Sequence, residues 1–252
     1  MDTGCSLQGS CCFCIFVRFP APGKVKTRLA AGVGPAAACA FYRACASYTI
    51  QLVCRHSSAH VAIYYSSGDK EADILEWVAS LGLQPTKLRS QSTDPCLGVK
   101  IRLALEQELA VPGVTKALVL GSDIPGLTKA VLEAAVDALD THEVVLGPAV
   151  DGGFYLLGTR GPQVEPSLFE GIEWSTSSVL EKVLQKATAA GLRVAPLNTL
   201  PVLQDIDTLD DLRAWKDTQG TEEVAAMKSH AAEISSSRDC LLKTVEQVIS
   251  QT

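Results

Sequence analysis

The run Ala117-Leu118-Val119-Leu120, continued by Gly121-Ser122-Asp123-Ile124-Pro125-Gly126-Leu127, constrains the fold more than any other stretch. Four apolar residues without alternation suit a strand covered on both faces, the mark of a buried parallel sheet. Gly121 and Ser122 thin the backbone, and Pro125 and Gly126 stop the strand. Thr128 fits the N-cap of a helix over 129–139. Asp123 therefore stands at the carboxyl end of a strand, where open α/β sheets bind ligands. A carboxylate on such a turn is well placed to hold Mg²⁺ or Mn²⁺ on a phosphate. The competing reading is a turn former and nothing more, because Asp is common at strand ends.

The rest of the chain repeats the alternation. Strand patterns fall over 12–17, 60–66, 86–89, 143–146, 153–157 and 193–197, and helical spacing over 36–53, 70–81, 99–110 and 177–190. Gly82 and Gly191 follow two of these helices as C′ residues. Thr208 opens a last domain helix, with Asp211 in the capping-box position. Alternating strands and helices argue an α/β fold with a mostly parallel sheet and right-handed crossovers. A domain over 12–216 fits the usual size of one core. Residues 1–11 are expected to be a disordered N-terminus. Residues 217–252 form a polar tail that ends in a short amphipathic helix, with Leu241, Leu242, Val245, Val248 and Ile249 at helical spacing. Packing back on the domain is the favoured role of that apolar face, ahead of binding a partner.

Composition excludes several classes. The net charge is −6, whereas a nucleic-acid binder is usually basic. No apolar run approaches the roughly 20 residues that span a bilayer. The start is polar and lacks a basic n-region, so no signal peptide is expected. Nine cysteines without paired CxxC spacing read as free thiols in a reducing compartment, and a cytoplasmic protein is expected. The four histidines show no ligand spacing, and no GxSxG elbow is present.

Between the first strand and the first helix, Arg18, Lys24, Lys26 and Arg28 put four cations into eleven residues of an acidic chain. Pro20, Pro22 and Gly23 shape this loop. Its amides and the following helix N-terminus can face an anion, and the cations supply the charge that phosphates attract. The spacing is neither a P-loop nor a GxGxxG turn. The alternative is a solvated basic loop.

The segment FxRxPxPGxVKTRL (16–29), then GSDIPGL (121–127), GPAVDGGFYLLG (147–158), EWST (173–176) and DIDTLDDL (205–212), occur in that order. Together they resemble DUF2064, the rSAM/selenodomain-associated transferase family 1. These are glycosyltransferase-A-like proteins of the nucleotide-diphospho-sugar transferase superfamily. The resemblance implies a Rossmann-like three-layer α/β/α fold around a mostly parallel central sheet. It also implies a nucleotide sugar or nucleoside triphosphate laid over the first loop, with Arg18, Gly23, Lys24, Lys26, Arg28 and Gly98 at its phosphates. A Mg²⁺ or Mn²⁺ ion would be held by Asp123 and by Asp205 or Asp207, with a slight preference for Asp205. Asp207 could instead help cap the helix at Thr208.

Asp151 precedes Gly152-Gly153. On the resemblance it would orient or deprotonate a hydroxyl of a small-molecule acceptor; otherwise it is a turn-forming Asp. Gly152, Gly153, Trp174, Ser175 and Thr176 would line the acceptor pocket. Trp174 as a core anchor and Ser175 as a helix cap are the alternatives. One position departs from the family pattern: an acid usually precedes Leu-Gly in the loop 95–101, and here it is Cys96, with Asp94 close by. The expected function is metal-dependent transfer from a nucleotide-activated donor, first glycosyl transfer from a nucleotide sugar. The runner-up is nucleotidyl transfer of the guanylyltransferase kind onto a phosphorylated small molecule, since the basic loop is similar to the KxxxAKTRL loop of deazaflavin-cofactor guanylyltransferases. A non-catalytic nucleotide-binding protein is the reading from another class.

Overall fold

The computed structural model describes residues 10–56, 59–66, 68–83, 87–218 and 232–250. The expected disorder of residues 1–9 and the first part of the tail lie outside them. Among the described residues six strands form one sheet: β1 (Ser10–Val17), β2 (His60–Tyr65), β3 (Lys87–Ser90), β4 (Val114–Leu120), β5 (Val144–Pro148) and β6 (Phe154–Arg160), in the order β3-β2-β1-β4-β6-β5. β1, β2, β3 and β4 pair in parallel; β6 runs antiparallel to both β4 and β5. Ser10 and Cys11, assigned to the N-terminal segment from sequence, are inside β1.

Both faces of the sheet are covered, which is why its central strands read as unbroken apolar runs. Side chains alternate between the faces. Phe13, Ile15, Leu118 and Leu120 point into one layer, and Cys12, Cys14, Ala117 and Val119 into the other. The first layer holds α1 (Thr27–Val33), α2 (Pro35–His56), α3 (Glu71–Ser80), α5 (Lys129–Thr141), α7 (Leu209–Thr218) and the final helix α8 (Ala232–Ser250). The second holds α4 (Leu97–Leu109) and α6 (Val179–Ala189). α8 lies along α2 and buries Leu241, Val245 and Val248 in the main core.

The strand expected over 193–197 is reduced to one bridge, Val144 to Val194. Pro196 has no N–H to extend a ladder, and a 3₁₀ turn follows at Leu197–Thr199. The eight described cysteines are all free. Burial pushes the Cys11 thiol up to about 12 and Cys54 to about 11, as expected of inert packing residues. Among the described residues no helix is long and apolar enough to cross a membrane.

Candidate active site

β4 ends at Leu120, and the chain turns through Gly121, Ser122 and Asp123. The turn is fixed from below. Gly121 donates its N–H to the Tyr155 carbonyl at 3.0 Å, and the Ser122 hydroxyl lies 3.1 Å from the Tyr42 hydroxyl. Tyr42 also accepts the N–H of Arg18 at 2.9 Å, so one buried phenol ties the first loop to the β4 turn. Burial pushes that phenol up to about 12.

The first loop then sends Lys26 inward. Its Nζ donates to Asp123 Oδ2 and to Asp207 Oδ1, each at 2.7 Å, and its side chain is only 6% exposed. Burial alone would lower the lysine; Asp123 and Asp207 outweigh it and hold the ammonium above its usual range. Lys26 adopts a left-handed backbone, φ 46° and ψ 50°, directly before α1. That region is uncommon for a residue with a Cβ. Arg28 Nη1 reaches Asp207 Oδ2 at 3.2 Å from an exposed position. Arg18, Gly23 and Lys24 are exposed along the same loop.

Asp205 and Asp207 do not sit on a regular strand. They flank the fully buried Ile206, and both remain partly exposed. The cap of α7 does not use Asp207: Asp211 Oδ2 accepts the N–H groups of Asp207 and Thr208, and Thr208 Oγ1 accepts the Asp211 N–H in return. This is a reciprocal capping box. It leaves the Asp207 carboxylate to the two cations.

Asp151 comes to the cluster through the loop 149–152. This loop lies against residue 203: the Val150 N–H donates to the Leu203 carbonyl at 3.1 Å. Asp151 is exposed, and its Oδ1 accepts the Gly153 N–H at 2.8 Å, the turn geometry of the simpler reading. Gly152 has φ 86°, and a Cβ there would meet the Ser177 carbonyl oxygen at 2.1 Å, so only glycine fits. Burial, followed by the charges of Asp151, Asp123 and Asp207, raises Asp205 to about 6. Four carboxylates from three distant parts of the chain therefore share one edge of the sheet, with one buried ammonium among them.

Gly98 and Trp174 pack in the other layer, while Ser175 and Thr176 precede Ser177, which lies against Gly152. Gly98 is buried in the first turn of α4, and a Cβ there would lie 2.3 Å from Trp174 Cζ2. Trp174 stacks on Phe169 and meets Phe154 edge-on. The indole is thus a packing anchor, and it accounts for a glycine at 98. Its Nε1 is buried without a hydrogen-bond partner. Ser175 is exposed at φ 65°, and Ser178, not Ser175, stands at the N-cap of α6. Thr176 Oγ1 donates to the Glu173 carbonyl at 2.9 Å.

A second charged group escaped the sequence reading. Glu108 on α4 is fully buried and pairs with Lys87 Nζ at 3.0 Å and Arg89 Nε at 2.6 Å, both on β3. Tyr64 donates to it at 2.9 Å. The available signal was an acid at the i+3 and i+4 positions from Leu105 and Ala104, opposite two cations spaced by two on a strand.

Oxygen ligands suit Mg²⁺ and Mn²⁺, so Asp123, Asp205 and Asp207 have the chemistry to hold such an ion. Burial first, and then the neighbouring acids, raise the Asp205 carboxyl, and a bound cation would offset the second of these. In the present arrangement no three His, Cys, Asp or Glu side chains among the described residues form a ready metal cage.

The family described as an uncharacterised protein conserved in bacteria, DUF2064, matches residues 49–176. Among solved structures, a protein of Desulfovibrio desulfuricans G20 provisionally assigned as a nucleotide-diphospho-sugar transferase is 30% identical, with 96% of this chain and 97% of that one covered and a TM-score of 0.79. The 4-diphosphocytidyl-2C-methyl-D-erythritol synthase of Anaerococcus prevotii DSM 20548 is 12% identical over 84% of this chain and 96% of that one, with a TM-score of 0.52. Glucosyl-3-phosphoglycerate synthase of Mycobacterium tuberculosis, solved with Mn²⁺, uridine diphosphate and phosphoglyceric acid, is 11% identical over 92% of this chain and 79% of that one, with a TM-score of 0.50. The latter two likenesses concern the fold. No curated protein matches the chain in sequence.

Proposed function

We infer the function from one premise: the chain belongs to the DUF2064 family. On that premise it is a transferase that uses a nucleotide-activated donor with a divalent metal, and glycosyl transfer from a nucleotide sugar is the preferred reaction. The observation that carries this reading is the cluster of Asp123, Asp205 and Asp207 around Lys26 at the carboxyl edge of β4. The provisional assignment of the Desulfovibrio desulfuricans relative supports it, as does the Mn²⁺ and uridine diphosphate of the Mycobacterium tuberculosis synthase.

The roles divide by position. Asp123 with Asp205 or Asp207 would hold Mg²⁺ or Mn²⁺, which when bound supplies charge neutralisation for the departing phosphate. Arg18, Lys24 and Arg28 line the exposed side of the first loop and would draw the donor's phosphates, with Gly23 giving the backbone room. Lys26 stands between these phosphates and the acids. Asp151, on a turn next to the cluster, would orient the acceptor hydroxyl and take its proton. Gly152 and Gly153 hold that turn in place, and Ser175 and Thr176 belong to the exposed acceptor side. Gly98 and Trp174 would support the pocket wall from beneath.

Nucleotidyl transfer is the second reading. The density of exposed cations at Arg18, Lys24 and Arg28 favours it, because a triphosphate carries more charge than a diphosphate sugar. Pyrophosphate release separates the two reactions. The experiment is a thermal-shift screen of nucleotides and nucleotide sugars, with Mg²⁺ or Mn²⁺ and with chelator. A ligand at 100 times its Kd adds roughly 2.7 kcal/mol of stability. A metal-dependent shift from at least one nucleotide is expected; no shift from any would overturn the reading. Binding without turnover of any donor would leave a nucleotide-binding protein.

A further inference from the structure

We propose that Lys26 is a built-in counter-cation that occupies the seat of the divalent ion, so that metal enters only as the ammonium leaves Asp123 and Asp207. This rests on the reading that the acid cluster is a metal site, and it concerns what Lys26 does before any ligand arrives.

The ammonium contacts one oxygen of each carboxylate at 2.7 Å. A second cation cannot take the position between those two oxygens while Nζ stays there. The lysine side chain is buried, 6% exposed, while the two carboxylates it joins are 32% and 40% exposed. The seat is reached through a left-handed residue, a backbone state that persists only where its surroundings impose it. Lysine suits the task. It is a compact point charge on a flexible four-carbon stem, so it can swing without dragging its backbone. Arg28 is different, because it approaches Asp207 from the exposed side and blocks no position between the two acids.

What draws Lys26 away is an anion on the loop's outer face, where Arg18 and Lys24 are exposed. A diphosphate there offers the ammonium new oxygens. The vacated carboxylates are then free for the divalent ion. Metal and diphosphate must therefore bind cooperatively, and the free protein must bind metal poorly.

The test uses Mn²⁺ alone, followed by the loss of its aquo-ion signal in electron paramagnetic resonance, with the full chain. Lys26→Met should bind Mn²⁺ more tightly than wild type by on the order of tenfold, within the usual range of coupling. Arg28→Met should gain clearly less than Lys26→Met, since Arg28 contacts Asp207 alone and from the exposed side. Adding Asp123→Asn to Lys26→Met should remove the gain. Inorganic pyrophosphate, corrected for its own Mn²⁺ complex, should tighten Mn²⁺ on wild type and do so far less on Lys26→Met. Should Lys26→Met fail to fold, Lys26→Gly keeps the left-handed backbone without strain and takes its place. Equal or weaker Mn²⁺ affinity in the lysine variant overturns the proposal, whatever the affinity. The reading it rests on is decided separately, by whether any nucleotide shifts the wild-type melting curve.

Discussion

Arg89 and Glu108 meet at 2.6 Å, joining the edge strand β3 to helix α4 through a carboxylate with no solvent exposure. Burial alone would raise Glu108; Lys87, Tyr64 and Arg89 outweigh it and hold the carboxyl below its usual range. The group is thus charged and fully partnered. Such a pair adds little over an apolar one, but removal of one member leaves buried charges unmatched.

Glu108→Gln should therefore destabilise the protein by about 3–5 kcal/mol, read by denaturant unfolding at neutral pH. The pH sign follows from the lowered carboxyl. Its contribution is present above the ordinary value of 4.5 and is lost as pH falls below it. Wild type and variant should converge in acid. A constant gap across pH would mean that packing, not charge, holds Glu108.

Gly98 tests packing against ligand binding. A Cβ at this position would lie 2.3 Å from the Trp174 ring, which is itself braced by Phe169 and Phe154. Gly98→Ala should cost about 1–3 kcal/mol, the usual range for overpacking. An unchanged melting curve would mean that Trp174 moves freely, and the glycine would then be there for a ligand.

The layered α/β architecture was legible because buried parallel strands show as apolar runs, as at Ala117–Leu120 and Val61–Tyr65. The capping box of Thr208 and Asp211 was legible because its partners lie three residues apart. Antiparallel β6 was not distinguished, since a doubly covered strand looks the same in either direction. The expectation that Lys26 faces phosphate missed its acids, which lie 97 and 181 residues away. Sequence proximity groups Lys26 with Arg18, Lys24 and Arg28; the fold turns it inward and leaves the others outside. Glu108 was hidden for the same reason, because an acid on an apolar helix face reveals nothing until its distant cations are placed.

The final helix should contribute to stability. Leu241 is buried in the main core against α2. Leu241→Ala should cost about 2–5 kcal/mol in denaturant unfolding. A loss below about 1 kcal/mol would show that α8 docks loosely and that the domain is complete without it.

Asp205 should make stability fall as pH rises. Burial and neighbouring acids raise its carboxyl from 3.8 to about 6 in the folded state. A raised carboxyl gives its relative stability below the unfolded value and loses it as pH climbs through the folded one. Metal-free wild type should therefore weaken between pH 3.8 and about 6 relative to Asp205→Asn. At pH 7 the variant should be more stable by about 1–2 kcal/mol, a figure reduced for partial exposure. Parallel stability profiles for the two proteins would refute the raised Asp205 carboxyl, and with it the burial and the neighbouring acids as its cause.

Asp123→Asn addresses the centre of the site. Relief of like-charge crowding alone would make the change cost little stability, or slightly raise it. The ion pair alters that expectation: Asp123 is one of two partners of a buried ammonium, and it is 32% exposed. An asparagine oxygen still accepts a hydrogen bond from Lys26 but brings no charge, so the cost should be roughly 1–2 kcal/mol, below that of a fully buried pair. The functional loss should be far larger. With Asp123 neutral, the cluster lacks the carboxylate fixed to the β4 turn, and metal-dependent nucleotide binding should disappear. Calorimetric titration of whichever nucleotide shifts the wild-type melt, into both proteins with Mn²⁺ and with chelator, makes the comparison. Wild type should bind only with metal, and Asp123→Asn should bind weakly and equally under both conditions. Retained metal dependence in the variant would return Asp123 to the role of a turn residue paired with Lys26.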